Sequence, residues 1–226
     1  MLFRSGAFGP HPDRVFPLLR GNNIPVVQGN YDNSIGHDLD DCQCGYTDPR
    51  DNYFARLSYQ YTYQNTSDEN KHWMKELPTE IRLEVNGYNI LLSHGSPRKM
   101  NEFLWESTTS THFLNKLLSD YEADILCTTH TGIHWERNLD GGKHFVNVGV
   151  IGRPENHGMT NVGYTLIELK NEPKIEYIPV EYDHHRLARE MQEESLPDEF
   201  VETILTGWWT TCLEVLPMKE RRRGKY

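Results

Sequence analysis

Gly29-Asn30-Tyr31-Asp32, Ser93-His94-Gly95 and Thr128-Thr129-His130-Thr131-Gly132 decide how this chain is read, because each comes directly after a short apolar run. The runs are Ile24-Pro25-Val26-Val27-Gln28, Ile90-Leu91-Leu92 and Ile125-Leu126-Cys127. Short runs rich in Val, Ile and Leu are buried strands, and loops leaving strand ends are where α/β folds assemble their sites. One Asn and two His can therefore converge from separate parts of the chain. An amide oxygen with two imidazoles is half of an N/O metal site. Completed by carboxylates, it suits manganese, iron or zinc, and two adjacent ions clamp a phosphate and turn a bridging water into hydroxide.

Working outward, strands are predicted at 24–28, 81–85, 89–93, 125–128, 144–148, 164–169 and 175–179. Asn86-Gly87 between the second and third is a hairpin signal, since both residues tolerate positive φ. Helices are predicted over 12–20, 68–76, 111–120, 183–194 and 198–205, with Ser67, Ser110 and Pro197 at their starts. The stretch 34–65 is polar and turn-rich in its early part and reads as an insertion or lid. Strands interleaved with helical patterns give an α/β class in which helices cover a sheet.

The chain has 226 residues and a formal charge of −10, which fits one globular unit and argues against duplex nucleic-acid binding or a membrane surface. No apolar run is long enough to span a bilayer, so a cytoplasmic protein is expected. The four cysteines make no disulfide framework and are expected as thiols in a reducing compartment. Cys42-Gln43-Cys44 lacks the spacing and second pair of a zinc clip. The basic tail 219–225 reads as a solvated end, and the acidic stretch around Asp38, Asp40, Asp41, Asp48 and Asp51 as a solvated loop.

Gly-Asn-x-Asp, then Ser-His-Gly, then a His-Thr block succeeded by Val146-Asn147-Val148-Gly149-Val150-Ile151-Gly152-Arg153-Pro154 resembles the calcineurin-like metallophosphoesterases over roughly residues 9 to 170, most nearly their small bacterial phosphodiesterase branch. The resemblance implies an α/β sandwich of two central β-sheets flanked by helices. It divides the chain into a metallophosphoesterase domain over 1–180 and a C-terminal helical extension over 181–226. It implies divalent metal ions, two in the intact protein, and hydrolysis of a phosphodiester or nucleotide-type phosphoester by a metal-bridging hydroxide. Asn30, His94 and His130 become metal ligands, with His134 as a further metal ligand. Asp32 becomes a catalytic residue that orients groups or protonates the leaving oxygen. Arg153 either reaches the substrate phosphate or caps a strand.

The departures are as informative. Tyr31 replaces a His that contacts phosphate in many members, which points away from monoesters. Gly132 stands where the third block usually carries a second His. The family opens with Asp-x-His and then Gly-Asp, which supply the first metal and the bridging carboxylate. Neither is present, and Phe8-Gly9-Pro10-His11-Pro12-Asp13 looks like the stretch just past Gly-Asp in the family. The chain is therefore expected to lack the first βαβ unit, with Met1–Ser5 as a sequence junction, and to be an inactive or impaired fragment. The alternative is a non-catalytic scaffold of this fold that holds a protein partner. An oligomer is compatible with either. His144, His157, His184 and His185 read as structural or surface residues, and Trp105 as core. Trp208 and Trp209 dock the last helix or mark a subunit contact.

Overall fold

The computed structural model describes residues 8–170 and 172–222, so the reading of Met1–Ser5 lies outside the described residues. Five strands, β1 (Glu80–Val85), β2 (Tyr88–Ser93), β3 (Ile125–Thr128), β4 (Trp135–Asn138) and β5 (His144–Asn147), form one sheet in the order β1-β2-β3-β5-β4. The central three are parallel and both edges antiparallel. Strands β6 (Val162–Leu169) and β7 (Pro173–Val180) form a second, two-stranded antiparallel sheet. At the β1–β2 turn Asn86 has φ 51° and Gly87 φ 83°, the double positive-φ turn its sequence predicts.

Alternation along the strands sorts the core into two layers. Leu91, Leu126 and Phe145 point to one face, where they pack on Leu114, Leu117 and Leu118 of helix α5 (Thr111–Asp120). Ile90, Leu92, Ile125, Cys127 and Val146 point to the other and meet Ile167, Leu169 and Ile175 of the second sheet. The sandwich of two sheets with helices outside is thus built from single-residue alternation.

The predicted strand at 24–28 is corrected: Val26 alone of its residues makes a bridge, and the segment is no strand of either sheet. Pro25 has no N–H to donate, and the Gln28 N–H goes to the Pro78 carbonyl at 2.8 Å. Val27 still buries against Ile90 and Ile125. The helix predicted over 12–20 is split into a 3-10 turn, Pro12–Arg14, and α1 (Phe16–Gly21), because Pro17 fits only the first turn of a helix. Strand β4, unpredicted, is a four-residue edge carrying Trp135 inward and Glu136 and Asn138 outward.

Within 34–65 lies α3 (Pro49–Gln64), sixteen residues capped by Asp48, whose side chain accepts the Arg50 and Asp51 N–H groups. Its pattern is hidden because tyrosines take the place of aliphatics. The Tyr59, Tyr61 and Tyr63 hydroxyls bond Leu39 O, Glu194 Oε2 and Asp38 Oδ1 while their rings pack inward. The remaining helices are α2 (Asn30–Gly36), α4 (Asp68–Lys75), α6 (His184–Glu193), α7 (Asp198–Thr206) and α8 (Met218–Arg221). Ser67, Ser110 and Pro197 are the N-caps of α4, α5 and α7, as predicted. Helices α6 and α7 pack on α3 through Phe54, Met191, Phe200 and Ile204. No helix among the described residues is long and apolar enough to cross a membrane.

Candidate functional site

Three separate chain segments deliver the site. Asn30 is the first residue of α2, and Asp32, fully buried, accepts the N–H of the N-cap Gly29 at 2.8 Å. That bond is half of a capping box and fixes the direction in which Asn30 leaves the turn. His94 stands directly after the end of β2. His130 lies just beyond β3 and sits at φ 62°, a left-handed conformation that residues with side chains rarely adopt.

The structure brings Asn30, His94 and His130 together. His94 Nε2 lies 2.9 Å from Asn30 Oδ1 and 3.0 Å from His130 Nδ1. Asn30 and His94 are 2% and 1% exposed, so these are interior contacts. On the far side of the cluster His130 Nε2 reaches the Cys44 carbonyl at 3.2 Å. Assigned from this network, His130 Nε2–H donates to Cys44 and leaves Nδ1 as an acceptor for His94 Nε2–H. The Asn30 amide is locked likewise, its Nδ2 donating to Cys42 O at 2.7 Å and lying 3.2 Å from Cys44 Sγ. The Phe103 ring lies tilted against His130 with ring centroids 4.5 Å apart.

The backbone around His130 is held by Asn147, a residue whose motif was legible in the sequence but whose role was not. Its Nδ2 donates to Thr129 O at 3.0 Å and Thr131 Oγ1 at 2.8 Å, tying the loop after β5 to the loop after β3. Thr129 Oγ1 returns a bond to Gly149 O at 2.6 Å. The signal for this was the position of Asn147 at the last residue of an apolar strand beside two others ending in ligand-type residues.

Arg153 and His134 do not join the cluster in the same way. Arg153 lines the cavity that His94 and His130 also line, a space of about 660 Å³, with its guanidinium 3.6 Å above the Trp209 ring centroid. That ring is anchored by Nε1–H donating to Pro154 O at 2.7 Å, so Trp209 docks the C-terminal segment beside the site. His134 stacks on Tyr177 with centroids 4.6 Å apart, its N–H bonds Glu155, and it is not among the residues lining the cavity. Gly132 has φ 74°, and a Cβ there would sit 3.3 Å from Val150 and 3.4 Å from the Arg153 guanidinium. A side chain at 132 would thus crowd both of these side chains, although Gly132 itself borders the cavity. Tyr31 is buried, and its hydroxyl bonds Ala55 O at 3.3 Å.

Cys42 and Cys44 are joined as a disulfide, which corrects the expectation of four thiols. With one residue between them their Cα atoms are 5.2 Å apart, inside the range a disulfide bridges. Cys127 and Cys212 remain buried thiols, and burial pushes the Cys127 thiol up to about 12, which makes it inert.

The loop leaving His94 is clamped by Glu102. Its carboxylate takes bonds from Arg98 Nε at 2.9 Å and Ser96 Oγ at 2.5 Å. Burial alone raises its pKa, but the Arg98 and Ser96 bonds outweigh this and hold it below the ordinary value. A carboxyl whose pKa is lowered by folding stabilises the fold above its unfolded pKa and loses that contribution as pH falls through the folded value. Glu102→Gln is accordingly expected to cost about 1.5–3 kcal/mol at pH 7 and progressively less below pH 4.5, read from urea midpoints at both pH values. An equal cost at pH 7 and pH 3 would contradict the charge-assisted clamp.

Two of the donor separations suit one divalent ion, which would displace the proton assigned to His94 Nε2. Cis donors in an octahedral shell with bonds of about 2.1 Å lie about 3.0 Å apart, and the His94 contacts measure 2.9 and 3.0 Å. Among the described residues no group of three or more His, Cys, Asp or Glu could hold a metal, so the donors for a second ion and a bridging carboxylate are not found there.

Comparisons with known proteins bear on the family and the fold. The model of the calcineurin-like phosphoesterase superfamily domain matches residues 4–172, against the 9 to 170 read from the motifs. The match takes in Arg4 and Ser5, which the motifs alone leave apart. A hypothetical protein of Pyrococcus horikoshii OT3 is similar in structure, with a TM-score of 0.73, 18% identity, and coverage of 92% of this chain and 84% of that one. A metallophosphoesterase from Sphaerobacter thermophilus gives a TM-score of 0.64 at 21% identity, covering 89% and 84%. At these identities both show the fold. No curated protein matches.

Proposed function

Because the chain belongs to the calcineurin-like phosphoesterase superfamily, we propose that it is a metal-dependent phosphoesterase whose substrate is a phosphodiester or nucleotide-type phosphoester. The observation that carries this is the convergence of Asn30 Oδ1 and His130 Nδ1 on His94 Nε2 at the ends of separate strands. These residues hold the ion. Divalent ions supply Lewis acidity and an activated water for in-line attack on phosphorus. Manganese, iron and zinc all suit one amide oxygen with two imidazoles.

Asp32 acts by orientation in this reading, since one oxygen of its buried carboxylate accepts the Gly29 N–H and so aims Asn30. Arg153 is the phosphate-binding residue: it borders the same cavity, and a guanidinium resting on an indole keeps its fork directed for bidentate contact. The cavity volume suits a nucleotide-sized ligand. Tyr31 in place of a phosphate-contacting His favours diesters. Residues 1–180 carry the phosphoesterase unit and 181–226 a helical extension. His134, stacked on Tyr177, is left out of the ligand set.

Three neutral donors without an acidic partner offset little of an ion's charge, so this chain binds one ion weakly and hydrolyses slowly. The same observation favours the second reading, a non-catalytic scaffold. Calorimetric titration with manganese and an assay on bis(4-nitrophenyl) phosphate separate the two. Uptake of about one ion per chain with slow, metal-dependent hydrolysis supports the enzyme. A folded chain that takes up no manganese, iron or zinc and releases no nitrophenol leaves only the scaffold.

A further inference from the structure

The three consecutive carbonyls of Cys42-Gln43-Cys44 are each occupied by a side chain of the site region. Asn30 Nδ2 donates to Cys42 O at 2.7 Å, Asn101 Nδ2 to Gln43 O at 2.7 Å, and His130 Nε2 to Cys44 O at 3.2 Å. Two of the three are candidate ligands, and they meet the tripeptide through the atoms opposite to those that face His94. The tripeptide therefore orients the donors from behind, as the outer partners of metal-bound imidazoles and amides do. Cys44 Sγ adds a contact at 3.2 Å to the Asn30 amide, and Cys44 lines the same cavity as His94 and His130.

The Cys42–Cys44 disulfide holds the tripeptide in this shape, closing a loop with Gln43 as its one intervening residue. Gln43 sits at φ 48°, the left-handed region, which a residue with a side chain leaves when nothing retains it. Asp41 Oδ1 accepts both Gln43 N–H and Nε2–H at 2.7 Å, giving the loop a pivot on its outer side. With the disulfide open, Gln43 would be retained by its bonds with Asp41 and Asn101 without the covalent closure, so the flanking carbonyls gain freedom to turn.

We propose that Cys42 and Cys44 are a redox-modification site whose state sets the orientation of Asn30 and His130: oxidised, the pair aims both donors at His94; reduced, it releases them. A dithiol reductant is the co-reactant. Its two thiols become a disulfide, the Cys42–Cys44 S–S bond breaks, and two electrons and two protons pass to the cysteine sulfurs. This rests on the reading of Asn30, His94 and His130 as ligands only for its effect on metal affinity; the effect on side-chain geometry stands apart from it.

The test uses the whole chain without metal. Alkylation of the air-exposed, denatured protein is expected to label two cysteines, Cys127 and Cys212, and four after treatment with a water-soluble phosphine, which takes oxygen from water as it reduces the disulfide. Two-bond 1H–15N spectra of the imidazoles and the Asn30 amide signals are then compared in the two states. Loss of the His130 Nε2–H tautomer and a shift of the Asn30 amide protons on reduction support the proposal. The Cys42→Ser/Cys44→Ser double variant should show the reduced pattern without reductant. Unchanged His130 and Asn30 signals in reduced wild-type protein, or four thiols that no mild oxidant pairs, overturn it. Manganese affinity should fall about tenfold or more on reduction. If the spectra switch and neither state binds manganese, the redox geometry is upheld and the metalloenzyme reading falls.

Discussion

Replacing His94 with alanine lowers manganese affinity about 100-fold or more and removes metal-dependent phosphodiester hydrolysis in the same proportion. His94 is the centre of the cluster: its Nε2 meets both Asn30 Oδ1 and His130 Nδ1. Truncation removes one donor and leaves the other two without the group that spaces them. Because the imidazole is 1% exposed, the cavity left behind does not refill with an equivalent donor from solvent without cost. Calorimetry of manganese binding is the primary readout, with circular dichroism to establish that the variant is folded. His134→Ala is the control and should leave affinity within a factor of about two, since His134 stacks on Tyr177 and makes no contact with Asn30, His94 or His130 among the hydrogen bonds and ring contacts described. If His94→Ala binds manganese as wild type does, or His134→Ala abolishes binding, the ligand set is wrong.

Gly95→Ala is the second large effect, and it acts through the backbone. A Cβ at Gly95 would lie 2.6 Å from Glu102 N and 2.8 Å from Lys99 O, and closer still to Met100 O. All three are main-chain atoms of residues 99–102, at and just beyond the Ser96–Lys99 bridge, and none can rotate away. Relief requires moving the turn that Glu102 clamps or moving His94 itself. Overpacking against fixed neighbours costs about 3 kcal/mol. For a chain of this length that lowers the thermal midpoint by about 6–12 °C. Gly152→Ala provides the contrast, because a Cβ there meets nothing within 4 Å. A Gly95→Ala midpoint indistinguishable from that of Gly152→Ala would show that the loop yields freely. The glycine that makes Ser-His-Gly recognisable as a motif is therefore required by the close approach of residues 99–102.

The sequence carried the fold class and the three donors on local information. Apolar runs of period two, an Asn-Gly turn and Ser or Pro at helix starts are short-range signals, and the strands and caps they mark stand within a few residues of their predicted places. The errors have local causes as well. Helix α3 is obscured because tyrosine presents both an apolar ring and a hydroxyl, so its buried face reads as polar. Strand β4 is too short and too charged to stand out. The segment 24–28 has the composition of a strand, but pairing is a property of a neighbour, and its Gln28 N–H is taken by Pro78.

By itself the sequence determined which residue types leave the strand ends: an Asn, two His and a glycine at each of the positions where a side chain would collide or strain. Chemistry carried by single residues, together with periodicity, is enough for that. Only the tertiary structure decided which of these meet. It placed His130 Nδ1 and Asn30 Oδ1 on one His94 nitrogen, turned His134 onto Tyr177, and set Val150 and Arg153 close beside Gly132. It also put the carbonyls of Cys42 and Cys44 behind Asn30 and His130. Those contacts join residues up to 86 positions apart. Their distances depend on how sheets and helices pack, which spacing along the chain does not encode.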